Sequence, residues 1–301
     1  MTTSESKRQH EALGLRHSVT SSLHHLPIGV FDSGVGGLTV LRALREQLPS
    51  ETFLYLGDTA RLPYGTKSAQ SVTRYSLQAA DLLVRRGIKY LVVACNTASA
   101  VALEALRERY APLPVLGVIE PGAEAACRAS RTHQIAVIAT EGTIRGGAYH
   151  RAITQRNSSA AVFGQACSLF VALAEEGWTT GVIVEAVARR YLDPLFERYP
   201  SIDTLLLGCT HFPVLASALR AVLRQDVQLV DSARTTALVL HQALKSCDLL
   251  SFEGQPRSIR MLATDNATRF AQVGSLFLGE PFSSGDVEIV DLAQAPEAPL
   301  K

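Results

Sequence analysis

Two cysteines occupy matching contexts. Residues 91–99 read LVVACNTAS and residues 205–213 read LLLGCTHFP. In each, an apolar run of strand type ends in a thiol and is followed by small polar side chains. A lone free cysteine is commonly a small buried hydrophobe. That reading serves Cys127, Cys167 and Cys247, although Cys167 also ends a short strand-like run. A matched pair asks for a shared task. A thiol at the end of a strand and in front of a helix feels the partial positive charge of the helix N-terminus, which lowers its pKa from about 8.5. Two such thiols on opposite sides of one substrate suit the inversion of a carbon that bears an acidic hydrogen. The proton leaves one face and another arrives on the opposite face. Two acid/base groups of one kind, one protonated and one not, run that exchange in either direction.

Other polar residues fall at comparable positions. VFDSGVGGLTV (30–40) follows a strand-like run and opens a helix, with Asp32 and Ser33 at the junction. Its glycines permit a tight turn, but the spacing is neither G-x-G-x-x-G nor a P-loop, so a nucleotide site is weakly supported. Asp32 reads equally well as a helix cap or as a site carboxylate. LGDTARLPYGTKS (56–68) carries Asp58, Tyr64 and Gly65 in a loop that is either an ordinary Pro-x-Gly turn or a set of backbone N–H groups facing an anion. Thr140 and Thr143 lie in ATEGTI (139–144), and Thr210 and His211 follow Cys209. His211, two residues from a candidate acid/base, is placed to polarise it. Glu175, beside Glu176, is ambiguous, because such acidic pairs usually face water.

The elements that would carry these residues alternate regularly. Strand-like runs at 27–31, 52–58, 90–95 and 114–121 are each followed by a helical stretch, and the pattern restarts at 134–140, 160–164, 204–209 and 227–231. A last unit comprises SIRMLATD, a helix and VEIVDLA. Such alternation predicts an α/β fold with mainly parallel sheets flanked by helices. IGVFDSG and IAVIATEG lie 107 positions apart, the two thiols 114, and GVIEP and QLVDS 111. A nearly constant offset suggests two pseudo-symmetric lobes, against the alternative that Val-rich strands simply look alike. Ligands of parallel α/β sheets sit at the carboxyl ends of strands. Facing lobes would therefore converge these ends on an active site in the interdomain cleft.

Bulk properties narrow the function classes. The 301 residues are 47% hydrophobic and carry 29 basic against 28 acidic side chains, a formal charge of +1. That balance provides no broad footprint for nucleic acid or an anionic membrane, and no apolar stretch approaches the ~20 residues of a membrane span. Five widely spaced cysteines without a CxxC argue against a disulfide framework and a zinc site. A reducing cytoplasm fits best. Residues 1–26 are polar, lack the apolar core of a signal peptide, and are expected to form a flexible N-terminal extension. Four of the eight histidines lie there, which leaves His133, His150, His211 and His241 for the body.

FDSGVGGLTV, GDTARLPYGTKS, VVACNTASA, GVIEPG, ATEGTI, LLLGCTHFP and LVDSA together resemble glutamate racemase, the cofactor-independent bacterial enzyme, over about residues 27–293. The resemblance implies interconversion of L- and D-glutamate without pyridoxal phosphate or metal, feeding peptidoglycan synthesis. It implies a discontinuous first lobe, 27–121 plus 231–301, around a second lobe, 122–230. It carries catalytic roles to Cys95 and Cys209, the first thiol serving the D-isomer and the second the L-isomer. Asp32 is expected near the first thiol, and His211 and Glu175 near the second. Substrate contacts fall on Asp32, Ser33, Tyr64, Gly65, Asn96, Thr97, Thr210 and His211, with Thr143 added from its place after the 134–140 strand. Where many relatives have Cys-Pro-Leu-Phe-Val-Pro, this chain has CSLFVA (167–172). A small-molecule substrate is expected, with no nucleic acid and no membrane; the sequence leaves a homodimer open. An aspartate racemase of the same superfamily, a non-catalytic binder of small carboxylates and a dithiol redox protein are the rivals.

Overall fold

The computed structural model describes residues 23–252 and 258–292. Among them run β1 (Ile28–Asp32), β2 (Phe53–Gly57), β3 (Tyr90–Val93), β4 (Val115–Gly117), β5 (Gln134–Ala139), β6 (Ala161–Ala166), β7 (Thr204–Gly208), β8 (Gln228–Asp231), β9 (Ile259–Ala263) and β10 (Val287–Ile289). They form a six-stranded sheet in the order β10-β9-β2-β1-β3-β4 and a four-stranded sheet in the order β6-β5-β7-β8, and every pairing is parallel. The order β2-β1-β3-β4 in the first sheet is the order β6-β5-β7-β8 in the second. The three sequence pairs near a constant offset occupy equivalent strands: β1 and β5, β3 and β7, β4 and β8.

Burial explains the composition. β1, β2, β3 and β7 are buried at every residue, as strands covered by helices on both faces must be. Alternate side chains feed different clusters. Ile28 and Val30 of β1 join one that also takes Ala136, Ile138, Leu205 and Leu207 from the second sheet, while Phe31 joins Leu54, Leu91 and Val93 on the other face. One apolar mass therefore reaches both sheets. β6, at the edge of the second sheet, is only partly covered.

Two boundaries differ from the sequence expectation. GVIEP reads as the end of a strand, yet β4 stops at Gly117 and the helix Ile119–Ala129 begins inside the motif. Pro121 lies in its first turn, where no intrahelical N–H is required. The helix after β3 begins at Asn96 rather than beyond Thr97, so Cys95 itself is the cap. Of the expected N-terminal extension, residues 1–22 lie outside the described residues. His24 is 6% exposed and its Nδ1 lies 2.7 Å from the Leu250 carbonyl. The His24 carbonyl accepts from Lys89 Nζ at 3.0 Å, and that ammonium also makes a buried ion pair with Glu51 at 2.6 Å.

Candidate active site

Parallel register decides what stands beside each thiol. Phe31 pairs with Val93, so two residues further along Ser33 meets Cys95, and the Cys95 thiol reaches Ser33 Oγ at 3.5 Å. In the second sheet Ala139 pairs with Gly208, which brings Thr140 alongside Cys209. Both cysteines are buried, at 5% and 6% exposure. All five cysteines are free.

The first station is anionic in character. Cys95 caps the helix Asn96–Val101, and the Ala98 N–H donates to its sulfur at 3.5 Å. The helix terminus acts as expected but does not prevail. Burial and the charge of Asp32 push the Cys95 thiol up to about 12, against the lowering by Ala98 and Ser33. Asp32 is itself fully buried. Burial raises its pKa, opposed by His211 and by the backbone N–H groups of Gly37, Gly34 and Ser33. The Gly34 N–H donates to Oδ2 at 2.9 Å, while Oδ1 has no partner among the described residues. Asp32 is no side-chain cap of the helix Leu38–Gln47, whose N-cap is Gly37. A Cβ on Gly37 would lie 2.5 Å from that of Asp32, so the absence of a side chain there makes room for the carboxylate.

The second station has another electrostatic character. No regular helix starts at Cys209; a 3-10 turn, Phe212–Leu215, precedes the helix Ala216–Val222. The helix-terminus argument thus fails for this thiol, and a side chain takes its place. His211 Nδ1 lies 3.8 Å from the Cys209 sulfur, and Nε2 lies 2.9 Å from Glu175 Oε1. Burial disfavours the charged imidazole, but the sulfur and the Glu175 carboxylate outweigh it and raise His211 to about 10. Glu175 ends the helix Leu169–Glu175, which Phe170 anchors edge-on to Phe212 and Tyr191 at ring distances of 5.4 and 5.3 Å. Those rings hold Glu175 in reach of His211 although residues 167–172 carry no proline.

The two stations meet. A Cβ on Gly36, in the loop after β1, would lie 2.4 Å from Thr210 Oγ1 and 2.5 Å from His211 Nδ1. Thr39 Oγ1 donates to the Thr210 carbonyl at 3.0 Å. The hydroxyls of Thr97, Thr140 and Thr143 stand 3.1 Å from one another, joining the end of β3 to the end of β5. Gly65 packs against Thr140, and its carbonyl lies where a Cβ on Gly142 would come within 2.8 Å. Cys209 is among the groups that raise Cys95.

Of the residues singled out in sequence, Asp32, Ser33, Gly65, Cys95, Asn96, Thr97, Thr143, Glu175, Cys209, Thr210 and His211 come together here. The Tyr64 side chain is committed elsewhere. Its hydroxyl donates to Asp58 Oδ2, which also accepts from Arg61 Nε at 2.8 Å, so at this site Tyr64 offers backbone only. Gly36 and Thr39, which the sequence did not single out, also belong to the assembly, as does Tyr149, whose hydroxyl donates to Asn96 Oδ1. Among the described residues no three His, Cys, Asp or Glu side chains form a metal-ligand set, and no helix is long and apolar enough to cross a membrane.

The sequence and the fold both have counterparts among known proteins. Residues 28–240 match the family described as Asp/Glu/Hydantoin racemase. The glutamate racemase of Geobacter metallireducens is 49% identical over 270 residues, covering 90% of this chain and 98% of that protein. The crystal structure of glutamate racemase from Francisella tularensis in complex with D-glutamate superposes with a TM-score of 0.83 at 37% identity, over 90% of this chain and all of that one. An aspartate racemase homologue from Pyrococcus horikoshii shares the fold at a TM-score of 0.51 and 15% identity, over 73% of this chain and 99% of that one.

Proposed function

Because the chain belongs to the Asp/Glu/Hydantoin racemase family, we propose that it interconverts L-glutamate and D-glutamate by proton transfer between two thiols across the α-carbon. The observation that carries this reading is the pair of buried cysteines on equivalent strands of two like-ordered sheets, each in its own electrostatic setting. Identity of 49% to a glutamate racemase, against 15% to an aspartate racemase homologue, favours glutamate as substrate. The D-glutamate would enter peptidoglycan precursors in the cytoplasm, where five free thiols stay reduced.

In this reading two lobes, 27–121 with 231–301 and 122–230, hold glutamate in the cleft between them. Cys209 takes the α-proton of L-glutamate, with protonated His211 as the opposite charge beside the sulfur. Glu175 orients the imidazole through Nε2 and supports its charge. Cys95, whose burial keeps it neutral, delivers a proton to the other face. In the reverse direction Cys95 gives its proton to Asp32, buried beside it with a raised pKa, and becomes the base for D-glutamate, while His211 passes its proton to Cys209, which delivers it to the opposite face. Ser33, Asn96, Thr97, Thr143, Thr210 and the backbone at Tyr64-Gly65 hold the carboxylates and the amine. Water exclusion in the closed site strengthens each of these contacts. The test is polarimetry on pure L-glutamate with no added cofactor. Rotation should decay to zero, with aspartate unchanged. Constant rotation on glutamate would refute the reading, and decay on aspartate alone would reassign the substrate.

A further inference from the structure

Tyr149 takes part in neither station by type, yet its surroundings are built around it. It lies in the helix Ala148–Arg156 of the second-sheet region and is 3% exposed. Two glycines make room for its ring. A Cβ on Gly208, the residue before Cys209, would lie 2.8 Å from Tyr149 Cε2, and one on Gly122 would lie 3.1 Å from Cε1 and from the hydroxyl. That hydroxyl donates to Asn96 Oδ1 at 2.6 Å. Behind it, Ser232 at the start of the helix Ser232–Ser246 lies against Gly122 beside the phenol; burial raises the Tyr149 pKa and the Ser232 side chain opposes that rise. The phenol proton therefore points at the Asn96 carbonyl oxygen. With Oδ1 engaged as acceptor, the amide can present only its NH2 on the other side. Asn96 Nδ2 is buried and without a partner among the described residues, and Asn96 adjoins Cys95 at the cap of its helix. A buried donor left unmatched is costly and rarely retained without use.

We propose that Tyr149 is a positioning residue for the reaction: its hydroxyl fixes the flip of the Asn96 amide so that Nδ2 donates to the bound amino acid beside Cys95. The inference rests on the glutamate reading above and adds a residue to it. The phenol spans from the second-thiol strand to the first-thiol helix, so it also ties the geometry of one station to the other. Tyr149 touches no reacting atom in this account; its effect passes through Asn96.

Four variants of the full chain test this: Tyr149→Phe, Asn96→Ala, the double variant and Ser232→Ala. Racemisation is followed from both isomers, with thermal melting as a control for folding. Tyr149→Phe keeps the ring and its packing, so its melting should remain near that of the wild type. Its KM should rise about tenfold for both isomers with a smaller fall in kcat, because a misoriented amide weakens binding and alignment together. Adding Tyr149→Phe to Asn96→Ala should change nothing further. Ser232→Ala should act in the same direction and more weakly, and it carries the same cycle with Asn96→Ala if Tyr149→Phe does not fold. Wild-type KM and kcat in a folded Tyr149→Phe variant, or effects that multiply in full in the double variant, would overturn the inference while the glutamate reading stands. Wild-type protein idle on glutamate would overturn that reading and this inference with it.

Discussion

The Cys95 and Cys209 stations occupy equivalent strands but hold their thiols by opposite means. Cys95 is surrounded by burial, a helix amide and a buried carboxylate, and is kept protonated up to about 12. Cys209 has no helix terminus behind it and has instead an imidazole that Glu175 and the sulfur raise to about 10. A symmetric fold thus surrounds its two thiols with different charged groups. For a two-base inversion that asymmetry is useful, because the resting site must hold one thiol as acid and the other as base. The equilibrium constant of a racemisation is one, so kcat/KM must stay equal for the two isomers at every pH. The asymmetry can appear only in kcat and KM taken separately, or in single half-reactions.

The largest effect that would break this comparison is expected at the sulfurs. Cys95→Ser and Cys209→Ser should each lower racemisation about 10³-fold or more, since each loses one of the two acid/base partners. Full two-way activity in either would contradict the scheme. Next comes His211. His211→Asn removes the positive charge beside Cys209, and kcat/KM should fall about 10²-fold in both directions, read by circular dichroism at saturating and limiting glutamate. A smaller loss, about tenfold, is expected for Gly36→Ala. Its methyl group would drive Thr210 and His211 from their places and misalign the second station, as overpacking in a dense site does. The mildest change sharpens the comparison through pH. His211 is raised above its ordinary value, so its positive charge is present at neutral pH and is lost as pH climbs through about 10. The alkaline limb of kcat/KM should follow that loss. In Glu175→Gln, with one supporting carboxylate gone, the limb should move to lower pH by about one unit, equally for both isomers. An unmoved limb would show that Glu175 does not support the charge.

Much of the site was legible because it is local. The apolar runs, the polar residues that end them and the repeat near 110 positions are read from neighbouring residues, and parallel sheets place such ends together without further information. The missed contacts depend on chain segments far apart. Gly36 is small because Thr210 and His211 lie against it, and Gly122 and Gly208 are small because the Tyr149 ring lies between them; no pattern within either segment records this. The same limit explains the different capping at the two thiols. Both motifs read as strand, Cys and helix, yet Pro213 in the second lies within a 3-10 turn, and only the fold shows His211 standing where the helix amide stands in the first. Tyr64 is the converse case. The resemblance implies a substrate contact there, but its phenol turns to Asp58 and Thr264 Oγ1 fills the other carboxylate oxygen at 3.0 Å.

The central claim is that each thiol serves one face of the α-carbon, and hydrogen exchange in heavy water tests it most directly. Cys95→Ser should incorporate deuterium at the α-carbon of L-glutamate, with Cys209 as base, while leaving D-glutamate unlabelled; Cys209→Ser should do the reverse. Exchange from both isomers in either variant, or from the opposite isomer in each, would contradict the account.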